Sequence, residues 1–219
     1  MKMKNIAIIG AGSYGQEIAC LIRKINKRNA DGTKWNFIGF FDDNESLRET
    51  SNNYGVVLGA VSLLNKWTTP LSVVVAIANV KVLEKIVSNL VNSVLDFPNL
   101  IDPDTSFIDI DTFQIGVGNV IGEGCRFSPN VRIGNFNIVV NDSIFGHDVI
   151  IGNNNVFFPA VRLSGHVTIG DKNLLGVRTT VLQGFKIGNN VKLSAGSLLM
   201  NNARDGFTYR GNPARKFII

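Results

Sequence analysis

The chain has 219 residues, 45% of them hydrophobic, and a formal net charge of +5 at pH 7. This length allows one large or two small domains with a sizeable core, and no apolar run is long enough to suggest a membrane span. The modest, dispersed positive charge argues against nucleic-acid binding. We expect Cys20 and Cys125 to be buried, reduced thiols in a cytoplasmic protein.

The first hundred residues have the layout of a Rossmann-like nucleotide-binding domain. A short apolar run leads into the glycine-rich turn 10–15, and apolar residues at helical spacing follow over 16–26. The next apolar run ends in Asp42 and Asp43. Such a turn lets the backbone approach phosphates at a helix N-terminus, and an acid after the second strand can accept a hydrogen bond from a ribose hydroxyl.

A third apolar run, 72–77, precedes a helical pattern over 80–90 and a last predicted strand within 93–97. About four strands fit in this space. A Rossmann fold that binds NAD consists of two βαβαβ halves and needs more residues than this domain has. We therefore expect the domain to bind a mononucleotide. We place the domains at 1–100 and 101–219.

The second half is built on a six-residue repeat. Fifteen consecutive steps begin with a large apolar residue, and the next residue is glycine in eight of them. Asparagine recurs four residues after the apolar position in every third step. The apolar positions are Ile115, Ile121, Phe127, Ile133, Val139, Phe145, Ile151, Phe157, Leu163, Ile169, Leu175, Val181, Ile187, Leu193 and Leu199.

This repeat predicts a parallel β-helix, in which each step is a short strand plus a turn and neighbouring coils bury a continuous core. The asparagines indicate three steps per coil, since stacked asparagine side chains can bond along the column. We expect about five coils, with the glycine column at corners that need a positive φ. The asparagines are Asn119, Asn137, Asn155 and Asn173.

Both histidines of the chain lie in the repeat. If eighteen residues make one coil, each residue stacks on the one eighteen positions later, about 4.8 Å away. His166 then stacks on Asp148, and the side-chain-free Gly165 stacks on His147. A histidine beside a carboxylate is the minimal unit of a general base. The spacing alone leaves open that these are polar residues decorating exposed turns.

Five segments together, 10–15, 41–43, 143–152, 163–170 and 211–215, give the chain a specific likeness. Over essentially its whole length it resembles the hexapeptide-repeat acyltransferases of the PglD and NeuD group, in which a small Rossmann-like domain precedes a left-handed β-helix. The resemblance implies acetyl-CoA-dependent N-acetylation of the 4-amino group of a UDP- or dTDP-linked 4-amino-4,6-dideoxy sugar, for glycan or O-antigen assembly. It also implies a cytoplasmic homotrimer with active sites between subunits and no metal.

The resemblance assigns roles to particular residues. His147 is the implied general base and Asp148 its companion, with direct transfer and no covalent acyl-enzyme. The residues implied for acetyl-CoA are Gly165, His166, Val177, Ala195 and Arg215, and His166 could also share the base role. The residues implied for the nucleotide sugar are Gly10, Gly12, Ser13, Gly15, Asp42, Asp43, Ile77 and Asn79.

The chain departs from the family pattern at three positions. Val140 stands where an asparagine seven residues before the base is usual, Val156 replaces a second histidine that some members carry, and Ala78 replaces a loop glycine. These changes leave the identity of the sugar open. The alternatives are O-acetylation of a sugar hydroxyl, a nucleotide-binding oxidoreductase whose β-helix only trimerises the chain, and a non-catalytic protein that binds nucleotide sugars.

Overall fold

The computed structural model describes residues 3–28, 34–48 and 50–217. The chain divides into two compact units, Met1–Pro103 and Asp104–Ile219. Within the described ranges, no helix is long and apolar enough to cross a membrane. The helices are α1 Ser13–Arg28, α2 Val80–Asn89 and the 3₁₀ helices Glu45–Leu47 and Val61–Lys66.

The strands of the first unit are β1 Met3–Ile9, β2 Lys34–Phe41, β3 Val57–Gly59, β4 Leu71–Val75, β5 Leu95–Asp96 and β6 Leu100–Ile101. The first five form a parallel sheet in the order β3-β2-β1-β4-β5. This confirms the Rossmann-like fold. The expectation of about four strands was one short, because β3 has only three residues and shows no periodicity of its own.

Helix α1 runs longer than its predicted 16–26, from Ser13 to Arg28. Its buried face includes Ile18, Ala19, Leu21 and Ile22, which leaves Cys20 exposed. The expectation of two buried thiols is therefore wrong for Cys20. Cys125, in the second unit, is buried.

Short strands follow one another along the second unit and form three walls, within the described residues. The walls run β7-β10-β13-β16-β19-β22, β8-β11-β14-β17-β20 and β9-β12-β15-β18-β21-β23-β24. All pairings are parallel except that of β23 with β24. The strands are β7 Ser106–Phe107, β8 Gln114–Ile115, β9 Val120–Ile121, β10 Arg126–Phe127, β11 Arg132–Ile133, β12 Ile138–Val139, β13 Ile144–Phe145, β14 Ile150–Ile151, β15 Val156–Phe157, β16 Arg162–Leu163, β17 Thr168–Ile169, β18 Leu174–Leu175, β19 Thr180–Val181, β20 Lys186–Ile187, β21 Lys192–Leu193, β22 Leu198–Leu199, β23 Thr208–Arg210 and β24 Arg215–Phe217.

Eighteen residues make one coil, as predicted. Phe127 pairs with Phe145, and Phe145 with Leu163. The repeating asparagines are fully buried. From Asn137 onward, the side-chain amide of each donates to the Oδ1 of the one a coil earlier, at 2.9 to 3.0 Å. This inner asparagine column satisfies polar groups that would otherwise be costly to bury.

The glycines that follow the apolar residues are not the residues with a positive φ at the corners of the coils, so that part of the prediction is wrong. A positive φ falls two residues further on in every step but the last, mostly on residues other than glycine. A Cβ at Gly134 would lie 2.6 Å from the carbonyl oxygen of Gly152, and one at Gly152 would lie 2.8 Å from that of Gly170. The column is glycine because adjacent coils approach too closely for a side chain. The positive-φ residues include Asn130, Phe136, Asp142, Asp148, Asn154, Ala160, His166, Lys172, Arg178 and Asn190.

Candidate active site

In the first unit, predicted nucleotide-binding residues lie together at the carboxyl ends of β1, β2 and β4. Gly10 follows β1 with φ 102°, and a Cβ there would lie 2.8 Å from Cδ1 of Ile77. The backbone N–H of Ala11 donates to Oδ2 of Asp42 at 2.8 Å. The glycine turn, the end of the second strand and the loop after β4 therefore form one cluster, at the sheet edge where such folds bind ligands.

The other glycines of the turn differ in what the fold requires of them. A Cβ at Gly15, in the first turn of α1, would overlap the carbonyl oxygen of Gly10, so glycine is needed for the helix to approach the strand. A Cβ at Gly12 would meet no heavy atom within 4 Å. The fold itself does not require glycine at position 12, just before Ser13 begins the helix.

The polar side chains of this cluster also hold the structure. Asp42 Oδ1 accepts from the N–H of Asn44 at 2.8 Å, and Asp43 Oδ1 accepts from the N–H of Val61 at 2.9 Å. Asn79 caps α2 by accepting from backbone N–H groups of its first turn. Asp42, Asp43 and Asn79 therefore each stabilise the fold, in addition to any role in binding a ligand.

A cavity of about 280 Å³ in the first unit was not foreseen from the sequence. Its lining includes Asp43, Ser62 and Asn65 on one side and Lys85 of α2 on the other. Its volume is close to that of small-molecule sites, which begin at roughly 300 Å³. Apart from Asp43, its residues belong to no recognised motif, so no sequence signal marked them.

In the second unit, the structure brings together the three side chains predicted to stack. Nδ1 of His147 lies 2.8 Å from Oδ2 of Asp148, and Nδ1 of His166 lies 3.8 Å from the same oxygen. The two imidazole rings are 4.8 Å apart and nearly perpendicular. All three side chains are open to solvent, with 38% to 55% of their surface exposed. One ligand atom from each lies within 4.8 Å of the others, a spacing that a transition-metal ion could also use.

Gly165 leaves room over the other nitrogen of His147. A Cβ at Gly165 would lie 2.5 Å from Nε2 of His147, whereas Nδ1 is engaged by Asp148. We assign the Nδ1–H tautomer on that hydrogen bond, which places the lone pair on Nε2. The arrangement can accept a proton at Nε2 and stabilise the resulting imidazolium through Asp148.

Asp148 has a further partner that the sequence reasoning missed. The side-chain amide of Asn130 donates to Oδ1 of Asp148 at 3.0 Å. The hydrogen bonds from His147 and then from Asn130 lower the pKa of Asp148 below its ordinary value of 3.8. Asn130 lies eighteen residues before Asp148, so the stacking rule that found His166 would also have found it.

The backbone positions predicted for acetyl-CoA share one place in the repeat. Gly165, Val177 and Ala195 each lie two residues after the apolar position, as His147 does. The carbonyls of Gly165 and Val177 accept from the next coil at 3.0 and 2.8 Å. Across the part of the chain that the structure describes, the N–H groups of these three residues have no hydrogen-bond partner. Arg215 is exposed at the start of β24.

Residues 5–90 match the family model of the PglD N-terminal domain. The putative acetyltransferase YvoF of Bacillus subtilis is 45% identical over 51 residues, which are 23% of this chain and 30% of that protein.

Several solved structures are similar over almost the full length. The acetyltransferase domain of PglB from Neisseria gonorrhoeae, in complex with acetyl coenzyme A, is 27% identical with a TM-score of 0.86, covering 98% of this chain and 99% of that one. WeeI from Acinetobacter baumannii is 25% identical with a TM-score of 0.83, covering 99% and 100%.

A Rossmann-like unit followed by a parallel β-helix, with a histidine–aspartate pair at one corner, defines the class as a hexapeptide-repeat acyltransferase. Residues 5–90 belong to the PglD N-terminal domain family, and the structural similarity over the whole chain supports a PglD-like sugar acetyltransferase. This confirms the family, fold class and enzyme class expected from the sequence.

Proposed function

We propose that the protein transfers an acetyl group from acetyl-CoA to the 4-amino group of a UDP- or dTDP-linked 4-amino-4,6-dideoxy sugar, in cytoplasmic glycan assembly. The observation that carries this proposal is the His147–Asp148 pair, with Nε2 of the imidazole beside the side-chain-free Gly165. Family membership supports sugar acetylation. The acetyl coenzyme A bound to the similar PglB domain supports the acyl donor.

The chemistry follows from the two nitrogens of His147. As the sugar amine attacks the thioester carbonyl, Nε2 accepts a proton from the amine, and Asp148 stabilises the imidazolium through Nδ1–H. The C–N bond forms, the C–S bond breaks, and the imidazolium returns the proton to the CoA thiolate. Holding both substrates side by side supplies much of the rate, and a positioned base adds roughly 10²–10⁴-fold.

The nucleotide binds at the carboxyl edge of the first sheet. Gly12 supports this assignment, because nothing in the fold demands glycine there and a bare backbone at a helix N-terminus is suited to phosphate. Asp42 and Asp43 supply carboxylates at the end of β2 for a ribose, and the cavity beside Asp43 has room for part of the nucleotide. Ile77 and Asn79 lie in the loop proposed to approach the sugar.

Acetyl-CoA lies along the second unit. Backbone N–H groups of Gly165, Val177 and Ala195 are donors for the amide carbonyls of pantetheine, since those groups have no partner within the described chain. His166 contacts the same ligand, and Arg215 pairs with its phosphates.

The active form is a homotrimer. Its support is the resemblance to trimeric family members, together with several apolar side chains of the second unit that have 40% to 58% of their surface exposed. Sedimentation equilibrium tests this assignment, and a monomer at working concentration would contradict it. These side chains are Ile108, Ile110, Val117, Ile150 and Val177.

Thiol release from acetyl-CoA tests the proposed reaction. The purified protein is assayed against UDP- and dTDP-linked 4-amino sugars and matched sugars that offer only hydroxyls, with His147→Ala in parallel and EDTA as a control for metal. We expect thiol release by the wild type with one of the amino sugars, and no release with that sugar in His147→Ala. Release only with hydroxyl sugars would establish O-acetylation instead.

Ligand-induced stabilisation separates the remaining alternatives. Acetyl-CoA is expected to raise the melting temperature, whereas an oxidoreductase would respond to a nicotinamide cofactor. A non-catalytic sugar-nucleotide binder would be stabilised by the nucleotide sugar and give no thiol release with any acceptor.

A further inference from the structure

Asp148 belongs to a stack of corner residues that repeats every eighteen positions. Asn130, Asp148 and His166 all have left-handed backbones, with φ of 63°, 58° and 59°. Below them, the Oγ1 of Thr112 accepts from the backbone N–H of Asn130 at 3.0 Å. This corner stack places a neutral amide one coil before the carboxylate and an imidazole one coil after it.

The carboxylate of Asp148 is held at both of its oxygens. Asn130 donates to Oδ1 at 3.0 Å, and His147 lies at Oδ2 at 2.8 Å. His166 lies 3.8 Å from Oδ2 and, among the residues that the structure describes, is the only other titratable group that interacts with this carboxylate. With Oδ1 anchored, Oδ2 stays turned to His147. Without that anchor the exposed carboxylate is free to rotate, and the two histidines compete for it.

We propose that Asn130 is a positioning residue for the acetyl transfer, which acts by fixing Asp148 so that Oδ2 serves His147 rather than His166. The inference rests on the proposed function, because it assumes that His147 is the base. Asn130 acts through Asp148 and contacts neither substrate.

A matched pair of variants isolates the amide. Asn130→Gly removes the side chain at a positive-φ corner, where glycine is well tolerated. Asn190→Gly makes the same change at an exposed corner of the same kind, with φ 54° and no side-chain hydrogen bond within the described chain. Asn130→Asp is a second test that keeps the shape of the side chain and its tolerance of positive φ, but removes the donor.

Steady-state kinetics give the first readout. Asn130→Gly is expected to lower kcat by about 10-fold, a fraction of the roughly 10²–10⁴-fold that a general base supplies, with KM for both substrates unchanged. Asn130→Asp is expected to lower kcat at least as far, because it sets a second carboxylate beside Asp148. Asn190→Gly is expected to match the wild type, and both glycine variants to share one melting temperature.

The tautomer of His147 gives a second readout that does not depend on turnover. The chain has only two histidines, so ¹⁵N-histidine labelling yields two ring systems, and His147→Ala assigns them. We expect the Nδ1–H form of His147 in the wild type and in Asn190→Gly, and a shift toward Nε2–H in Asn130→Gly.

Each outcome bears on Asn130 itself. A ring tautomer or a kcat in Asn130→Gly equal to that in Asn190→Gly overturns the inference. If even the wild type transfers no acetyl group, the proposed function fails. The ring signals then still decide the positioning: a tautomer shift in Asn130→Gly supports it, and identical ring signals overturn it.

Discussion

The β-helix contains two columns of polar residues that share an eighteen-residue period but differ in burial and in residue type. In the inner asparagine column every member is fully buried, and one residue type repeats. In the corner stack of Asn130, Asp148 and His166 each member differs, and the side chains are open to solvent. The hydrogen bonds from Asn137 to Asn119 in the inner column and from Asn130 to Asp148 in the corner stack are both 3.0 Å, whereas His166 lies 3.8 Å from Asp148.

The difference shows that period alone does not separate structure from chemistry. A buried amide must find a partner, so the inner column repeats the one residue that can both donate and accept along it. An exposed corner needs only a tolerable backbone, so its side chains can be chosen for chemistry. Changes in the corner stack should therefore alter turnover and spare stability, whereas changes in the inner column should do the reverse.

The largest effect is expected from His147→Ala. Loss of the base should lower kcat by roughly 10²–10⁴-fold, with the melting temperature nearly unchanged because the ring is half exposed. Thiol release and calorimetry on the same preparation measure both. Full activity in this variant would show that neither His147 nor the corner stack beside it takes part in the reaction.

Gly165→Ala is expected to have the next largest effect. A methyl group there would lie 2.5 Å from Nε2 of His147, so the imidazole must move away from the position that we assign to the acceptor amine. The corresponding places in other coils hold Val177 and Ala195, so the backbone tolerates a Cβ. We expect kcat to fall by less than in His147→Ala and the melting temperature to hold. An unchanged kcat would contradict the assigned role of Nε2.

The sequence predicted two members of the corner stack, Asp148 and His166, because a fixed period converts separation along the chain into distance in space. The same rule was not applied one coil earlier, so Asn130 was missed. The eighteen-residue period placed His147, Asp148, His166 and Gly165 together from their positions in the sequence alone. It misread the glycine column, since recurrence shows where glycine is needed and not whether the need is a positive φ or a close approach. The cavity beside Asp43 could not be predicted because its lining comes from separate helices with no shared pattern.

In the inner column, Asn155→Ala is expected to act on stability. Asn155 bonds to Asn137 on one side and Asn173 on the other, so its removal leaves buried polar groups unpaired, at a cost of about 1–3 kcal/mol. Asn153→Ala, on a more exposed ladder of the same coil, should cost less. Calorimetry is the suitable method, because both tryptophans lie in the first unit. A lower kcat in Asn155→Ala with unchanged stability would contradict the claim that the inner column serves stability rather than turnover.

The smallest effect is expected from acid titration of the corner stack. Hydrogen bonds from His147 and Asn130 lower the pKa of Asp148 below 3.8. A carboxylate whose pKa is lowered in the folded state keeps its interactions above the ordinary value and loses them as the pH falls through the lowered one. Asp148 should thus stay ionised from about pH 5 to 8. Titration of its carboxyl ¹³C signal should give a midpoint below 3.8 that rises in Asn130→Gly, while a wild-type midpoint at or above 3.8 would mean that the two bonds do not hold the carboxylate in solution.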